Sequence, residues 1–324
     1  MADGSVVIEI IGDAAKFNAA LAKVERSASD ITGSVGSALS SAGGALTAAF
    51  TLPLGAAAAA VTTFAACTLW RRLDPRLGPR GMLGRRAAVT RPDEQGTPVR
   101  LLFVGRSVQS ATYLGERRYD LPLEYYRAFD RVVRAADLAE RPARLLVLGG
   151  GGYAYPKHAV ATMRAAMLDV VELDPAVTDF ARRHFYLADL ESELDAARTH
   201  RLRIVTADAL DYLRSVPAEK CYDAIIMDAF EAGAPAAGLS GDGAIAAARD
   251  CLATGGVLLG NVVCPEGDPS AALELADRMA SHFARAWVVP CTDESFSDDD
   301  NYVVVASNRE FDVPGAIAQV ATGE

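Results

Sequence analysis

Histidine is scarce in this chain, with four among 324 residues, and the five cysteines (Cys67, Cys221, Cys251, Cys264 and Cys291) form no Cys-x-x-Cys pair. Ligands so few and scattered spell out neither a zinc site nor a disulfide framework. Unpaired thiols of this kind suit a reducing compartment, and Cys221 and Cys264, in or beside apolar runs, read as small hydrophobes. Basic charge is also in deficit: 32 Lys and Arg face 42 Asp and Glu, a net charge of −10. No nucleic acid is expected as the main partner, because phosphate binding needs a basic face. The acidic balance suits a cationic substrate and equally suits plain solubility. Glycine and proline, 27 and 15, are too few for a low-complexity chain, and 51% hydrophobic residues suffice for a core.

Charge is missing altogether from Ile31 to Trp70. The inner part of that stretch, 43–70, exceeds the ~20 residues that cross a bilayer, although it is rich in alanine and contains Pro53. Six arginines and one aspartate follow in residues 71–86, the flank that the positive-inside rule places on the cytoplasmic side. One reading is a membrane anchor with the rest of the chain in the cytoplasm. The other is a soluble Ala-rich segment followed by a basic linker. A signal peptide does not fit, since the apolar stretch begins too far in and its front flank is not basic. The chain therefore divides into an N-terminal segment (1–42), the apolar segment (43–70), a basic Pro/Gly linker (71–98), a main domain (99–312) and a tail (313–324). Within the first, residues 5–12 read as a strand and a helix-like run starts after Asp13, a suitable N-cap.

From Val99 the pattern becomes regular. VRLLFVG and SATYLG read as two short strands with a turn around Arg106–Ser107, and an amphipathic helix follows. Then ARLLVLG, DVVEL, LRIVT, YDAIIMD and GGVLLGNVV alternate with helical patterns, which means βαβ units and a largely parallel sheet. The last two strands, RAWVVP and NYVVVAS, are separated by too few residues for a crossover helix, so they should be antiparallel.

In such a sheet, ligands bind beyond the carboxyl ends of the strands. Four strand ends carry suggestive residues. Gly149, Gly150, Gly151 and Gly152 follow the first parallel strand, where glycine lets backbone approach a ligand and a helix N-terminus points at the same place. The plain alternative is a turn that is glycine-rich for steric reasons alone. Glu172 closes DVVEL, where a carboxylate can accept ribose hydroxyls. Its alternative is capping the next helix, which Asp174 does better. Asp208 follows RIVT and can take an adenine amino group, or cap its own helix, or both. Asp228 ends YDAIIMD, with Glu231 three residues later. The ordered set favours an adenosyl cofactor over a dinucleotide.

Together, LLFVGRSVQSATYLGERRYDLPLEYYRAFD, LLVLGGGGYAYP, VVELDPAVTDFARRHF, RIVTADALDYL, YDAIIMDAF and NYVVVAS resemble the spermidine synthase family. They look most like its bacterial synthase-like branch, some members of which are fused to transporter segments. The likeness runs from about Val99 to Asn308. It implies a Rossmann-like fold of the class I methyltransferase type: a mostly parallel sheet, an antiparallel last strand and a short β-hairpin in front. It further implies Gln109 on the nucleoside side of the site, Gly149, Gly150 and Gly151 in the cofactor turn, Glu172 on the ribose and Asp208 facing adenine. Asp228 and Glu231 match the two acids of the family's DSSDP-type loop, the second of which accepts the amine proton. Two departures stand out. The family's glycine loop reads GGGDG, whereas Gly152 and Tyr153 stand here in place of Asp and Gly. Glu231 replaces an aspartate. The small N-terminal β-domain of full synthases also looks reduced to about one hairpin. Residues 1–60 resemble the start of phage tail tape-measure proteins.

The reaction implied is transfer of an aminopropyl group from decarboxylated S-adenosylmethionine to a small primary amine, with no metal. Methyl transfer from S-adenosylmethionine is the alternative, and a non-catalytic nucleoside-binding or membrane-associated module is another. The partners expected are the amine and, as options, a membrane through 43–70 and a second copy in a homodimer.

Overall fold

The computed structural model describes residues 6–9, 86–93, 95–104, 107–193, 195, 199–217, 221–231, 234–235, 238–291 and 299–321. The apolar segment 43–70 and most of the tape-measure-like stretch lie outside them. Among the described residues no helix is long and apolar enough to cross a membrane.

Apolar β-branched and leucine-rich runs flanked by turn residues form a large sheet. Its strands are β5 (Arg144–Leu148), β6 (Met167–Glu172), β7 (Leu202–Thr206), β8 (Tyr222–Met227), β11 (Leu252–Cys264), β12 (Arg285–Cys291), β13 (Asp300–Ser307) and β14 (Ala318–Ala321). They lie in the order β14-β12-β13-β11-β8-β5-β6-β7. Pairings from β7 through β11 are parallel, and β13 runs antiparallel to both β11 and β12. The expected parallel sheet with an antiparallel final pair is thus present. Chain order runs outward from β5 to β7 and then returns to the other side of β5 with β8. The reversal lies between β5 and β8, and open α/β sheets bind their ligands beyond the strand ends at such a point.

The central strands are buried on both faces, and alternate residues serve alternate layers. Leu145, Val147, Ala224 and Ile226 pack in one core with α1 (Glu124–Ala135), α2 (Ala154–Thr162), α3 (Pro175–His184) and α4 (Leu187–Glu193). Leu146, Leu148, Ile225 and Met227 pack in the other with α5 (Ala209–Ser215), α6 (Asp242–Cys251) and α7 (Ser270–Ala280). Short α4 is absent from the sequence-based expectation. Tyr186, at φ 60°, breaks the chain between α3 and α4 and so interrupts the helical periodicity.

Three boundaries differ from expectation. The 71–98 stretch is not all linker, because Arg86–Pro92 forms strand β2, paired antiparallel with β3 (Pro98–Val104). Next to β3 lies β4 (Ser107–Tyr113), and β1 (Val6–Glu9) adds to β2 in parallel, so the expected hairpin is a four-stranded sheet. Arginines at both ends of β2 and a proline at its C-terminal end disguise an alternation in which Arg86, Ala88 and Thr90 are buried. The 313–324 tail supplies β14, which pairs with β12.

Candidate functional site

The turn after β5 is shaped by what stands beyond β8. Gly149 has φ 104°, and a Cβ there would lie 2.3 Å from the Asp228 carbonyl oxygen. No L side chain fits that approach or that backbone conformation. The Gly149 N–H donates to Val171 O and the Asp228 N–H to Leu148 O, both at 2.8 Å, tying the ends of β5, β6 and β8 together. Gly150 and Gly151 then donate to Glu172 Oε2 at 2.8 and 3.4 Å, while the Asp174 N–H donates to Glu172 Oε1 at 2.9 Å. Glu172 is 5% exposed; burial raises its pKa, against the pull of these three backbone donors.

Asp174, not Glu172, caps α3, accepting from the Ala176 N–H at 3.0 Å. Its other oxygen accepts from Arg86 Nη1 of β2 at 2.8 Å in a buried ion pair. Asp208 caps α5, its Oδ1 accepting from Leu210 and Asp211 at 2.9 and 3.0 Å, and the residue stands exposed beside the end of β6. Gln109 lies half-buried on β4, whose backbone comes up against the glycine turn: its carbonyl oxygen is 3.7 Å from where a Cβ on Gly151 would be.

Gly152 and Tyr153 have a local explanation. A Cβ at Gly152 would meet Ser110 Oγ at 2.6 Å and Phe185 Cδ1 at 3.0 Å, so a side chain there is shut out. Tyr153 takes a left-handed conformation, φ 55°, fully buried, with its hydroxyl 2.7 Å from Thr178 Oγ1. That conformation costs a non-glycine residue roughly 1–2 kcal/mol, which burial of the ring and the hydroxyl's hydrogen bond offset.

Asp228 keeps some solvent contact, yet burial pushes its carboxyl up to about 7, opposed by one hydrogen bond from Asn261 Nδ2 to its Oδ1 at 2.9 Å. Tyr126 of α1 also faces this corner. Its hydroxyl is 2.9 Å from Ser110 Oγ, and burial first, then the Asp228 charge, raises its pKa. Glu231 falls in strand β9 (Phe230–Glu231), paired with β10 (Ala234–Pro235), and its side chain lies outside the described residues.

Of the residues singled out from sequence, the three glycines, Glu172 and Asp228 are brought together at the ends of β5, β6 and β8, with Gln109 of β4 against the glycine turn and Asp208 exposed beyond the end of β7. Sequence reasoning missed Ser110, Tyr126, Arg86, Asn261 and Asn301. Asn261 alone had a signal, as an amide inside the apolar run GGVLLGNVV. Among the described residues, no group of three His, Cys, Asp or Glu could hold a metal ion. A cavity of about 550 Å3 lies elsewhere, lined by Arg144, Met167, Leu202 and Tyr222 at the amino ends of the strands.

The spermine/spermidine synthase domain matches residues 132–294. The chain is 32% identical over 91 residues to the polyamine aminopropyltransferase of Vibrio vulnificus, a match covering 28% of this chain and 27% of that protein. It is 32% identical over 95 residues to the eEF1A lysine and N-terminal methyltransferase of Homo sapiens, covering 28% and 12%. The matched stretches thus span well under a third of either relative's length. A crystal structure of a probable spermidine synthase from Corynebacterium glutamicum shares the fold, with a TM-score of 0.56, 24% identity, and coverage of 72% of this chain and 80% of that one. Glycine turn, strand-end acids, fold and matched domain agree: this chain belongs to the spermine/spermidine synthase domain family.

Proposed function

We propose that this chain is a transferase that holds an S-adenosyl sulfonium between the ends of β5 and β8. Decarboxylated S-adenosylmethionine is the donor we favour, with its aminopropyl group passing to a primary amine. The observation that carries this reading is the pairing, at the reversal of strand order, of a glycine turn clamped by Glu172 with an acid poised near neutrality, Asp228.

The residues fit such a donor. A carboxylate offers about four acceptor positions, and Glu172 spends three on backbone donors, which leaves room for a ribose hydroxyl. Asp208 uses Oδ1 for capping and keeps Oδ2 for an adenine amino group. Gln109 borders the same turn from β4. When bound, the sulfonium supplies an activated carbon with its leaving group in place. The chain must then orient the amine and take its proton, since an ammonium cannot attack. Asp228, close to half-ionised at neutral pH, suits both tasks, and Glu231 is the second acid of the same loop. The transporter-fused branch and the tape-measure likeness of residues 1–60 rest on sequence motifs alone.

One observation favours methyl transfer as a second reading. The turn has no carboxylate at Gly152 and no room for one, so the amino end of an aminopropyl chain lacks a partner there. Product analysis separates the two. The full chain is incubated with either donor and a primary diamine, and products are read by mass spectrometry. Methylthioadenosine with an aminopropylated amine supports the first reading, and S-adenosylhomocysteine with a methylated amine supports the second. Calorimetry showing no binding of S-adenosylmethionine, its decarboxylated form or methylthioadenosine would overturn both.

A further inference from the structure

Asp228 does not stand alone at the end of β8. Asn261 of β11 is 5% exposed and donates from Nδ2 to Asp228 Oδ1 at 2.9 Å. Behind it, Asn301 of β13 donates from its own Nδ2 to Asn261 Oδ1 at 2.8 Å. The register explains the alignment. Asn261 pairs with Val303 across the antiparallel β11–β13 ladder, so Asn301, two residues along, is its diagonal neighbour on the same face. That face also carries Leu259, Val303 and Val305, which pack in the core with α1. Two amides stand in line where the pattern otherwise places apolar side chains.

An asparagine side chain can turn over, exchanging its acceptor for its donor. An ionised Asp228 only accepts and so draws the Asn261 N–H, whereas a protonated carboxyl can also donate to the Asn261 oxygen. The Asn301 N–H, seated on the Asn261 oxygen at 2.8 Å, holds the Asn261 N–H toward the carboxyl in both states. Among the described residues, no protein donor reaches Asp228 Oδ2.

We propose that Asn301 and Asn261 form a positioning relay that pins Oδ1 of Asp228 and presents Oδ2, with its full acceptor capacity, to the amine. The proposal rests on the reading of Asp228 as the group that receives the amine. The relay fixes the carboxylate's rotamer and keeps an N–H, never a carbonyl oxygen, against it. Of the elements packed around Asp228, α1 brings the Tyr126 phenol, held protonated by burial, β11 brings the Asn261 amide, and the turn after β5 brings backbone.

The test is a carboxyl titration that does not depend on turnover. Asp residues of the full chain are labelled with carbon-13 at Cγ, and the Asp228 signal is assigned by its loss in Asp228→Asn. In Asn301→Asp, the new carboxylate draws the Asn261 N–H to itself and turns the Asn261 oxygen toward Asp228. The Asp228 midpoint should then rise by about one pH unit or more, with a smaller rise in Asn301→Ala. Asn301→Ser, whose donor is shorter by one bond, should fall between wild type and Asn301→Ala, and thermal unfolding of each variant guards against loss of fold. Under the relay, the acid limb of the pH–rate profile moves with the midpoint. A midpoint unchanged in Asn301→Ala, with thermal unfolding intact, overturns the relay, because a rise in Asn301→Asp alone follows from its added negative charge. A midpoint that moves in a chain with no transferase activity upholds the relay and refutes the functional reading.

Discussion

Replacing Asp228 with asparagine should make the protein more stable and inactive. The carboxyl is pushed from its ordinary 3.8 up to about 7 by burial, so the fold resists its ionisation. At 1.36 kcal/mol for each pH unit, the difference sets a ceiling of about 4 kcal/mol of stability lost on ionisation. The residue keeps some solvent contact, which screens the charge, so an observable effect of ~1–3 kcal/mol is expected. The sign follows from proton binding. Between about pH 4 and 7 the folded chain holds a proton at Asp228 that the unfolded chain has released. This contribution is therefore fully present below pH 4 and is lost as pH rises through 7. Asp228→Asn keeps the shape and the acceptor for the Asn261 N–H, and it cannot ionise. Urea denaturation at intervals from pH 4 to 8 should show a falling trend in wild type that is shallower in the variant, with the variant more stable at pH 8. Parallel trends, or a variant destabilised at pH 8, would refute the reasoning and make Asp228 a structural acid.

Lys157 titrates in the next window with the opposite sign. It is fully buried, its amine donating to Thr112 Oγ1 at 3.2 Å and to the Phe185 carbonyl, and burial lowers its pKa to about 7. The folded chain thus binds fewer protons than the unfolded chain between about 7 and 10.5, so stability should climb over that range, and Lys157→Met should flatten the climb in the same denaturation series. Glu172→Gln can satisfy only one side of its three backbone donors. It should cost roughly 1–3 kcal/mol in thermal unfolding and weaken methylthioadenosine binding by calorimetry; normal affinity would remove Glu172 from the nucleoside site. Gly149→Ala should cost several kcal/mol, about the size of other severe backbone clashes, and an unshifted melting temperature would contradict the close approach to Asp228. Gly152→Asp combined with Ser110→Gly removes the Ser110 clash and leaves only the Phe185 ring edge at 3.0 Å to yield, and competition binding should show a gain for the decarboxylated donor over the intact one.

Much of the large sheet was legible, because apolar strand runs and helical patterns alternate at βαβ spacing and each strand is punctuated by glycine or an acid. The antiparallel final pair was legible for a simple reason of length. The positions of the candidate acids were legible as well, since chain position alone puts Glu172, Asp208 and Asp228 at consecutive carboxyl ends. Strand β2 was not, because arginine and proline at its ends mask an alternation that becomes apolar only when Arg86 finds Asp174, 88 residues away. Nor was β14, which is short and held by its pairing with β12.

By itself, then, the sequence determined the class of fold and which acids stand at the strand ends, because periodicity and turn chemistry are local. What those acids do to one another was decided only in three dimensions. Glu172 is spent largely on the glycine turn, Asp174 is neutralised by Arg86, and Asp208 caps its helix. Asp228 is pushed toward neutrality by burial and hydrogen-bonded by Asn261, which in turn accepts from Asn301 of another strand. A pKa is set by what surrounds a carboxyl, and those surroundings come from strand order and register, which no single stretch of the chain encodes.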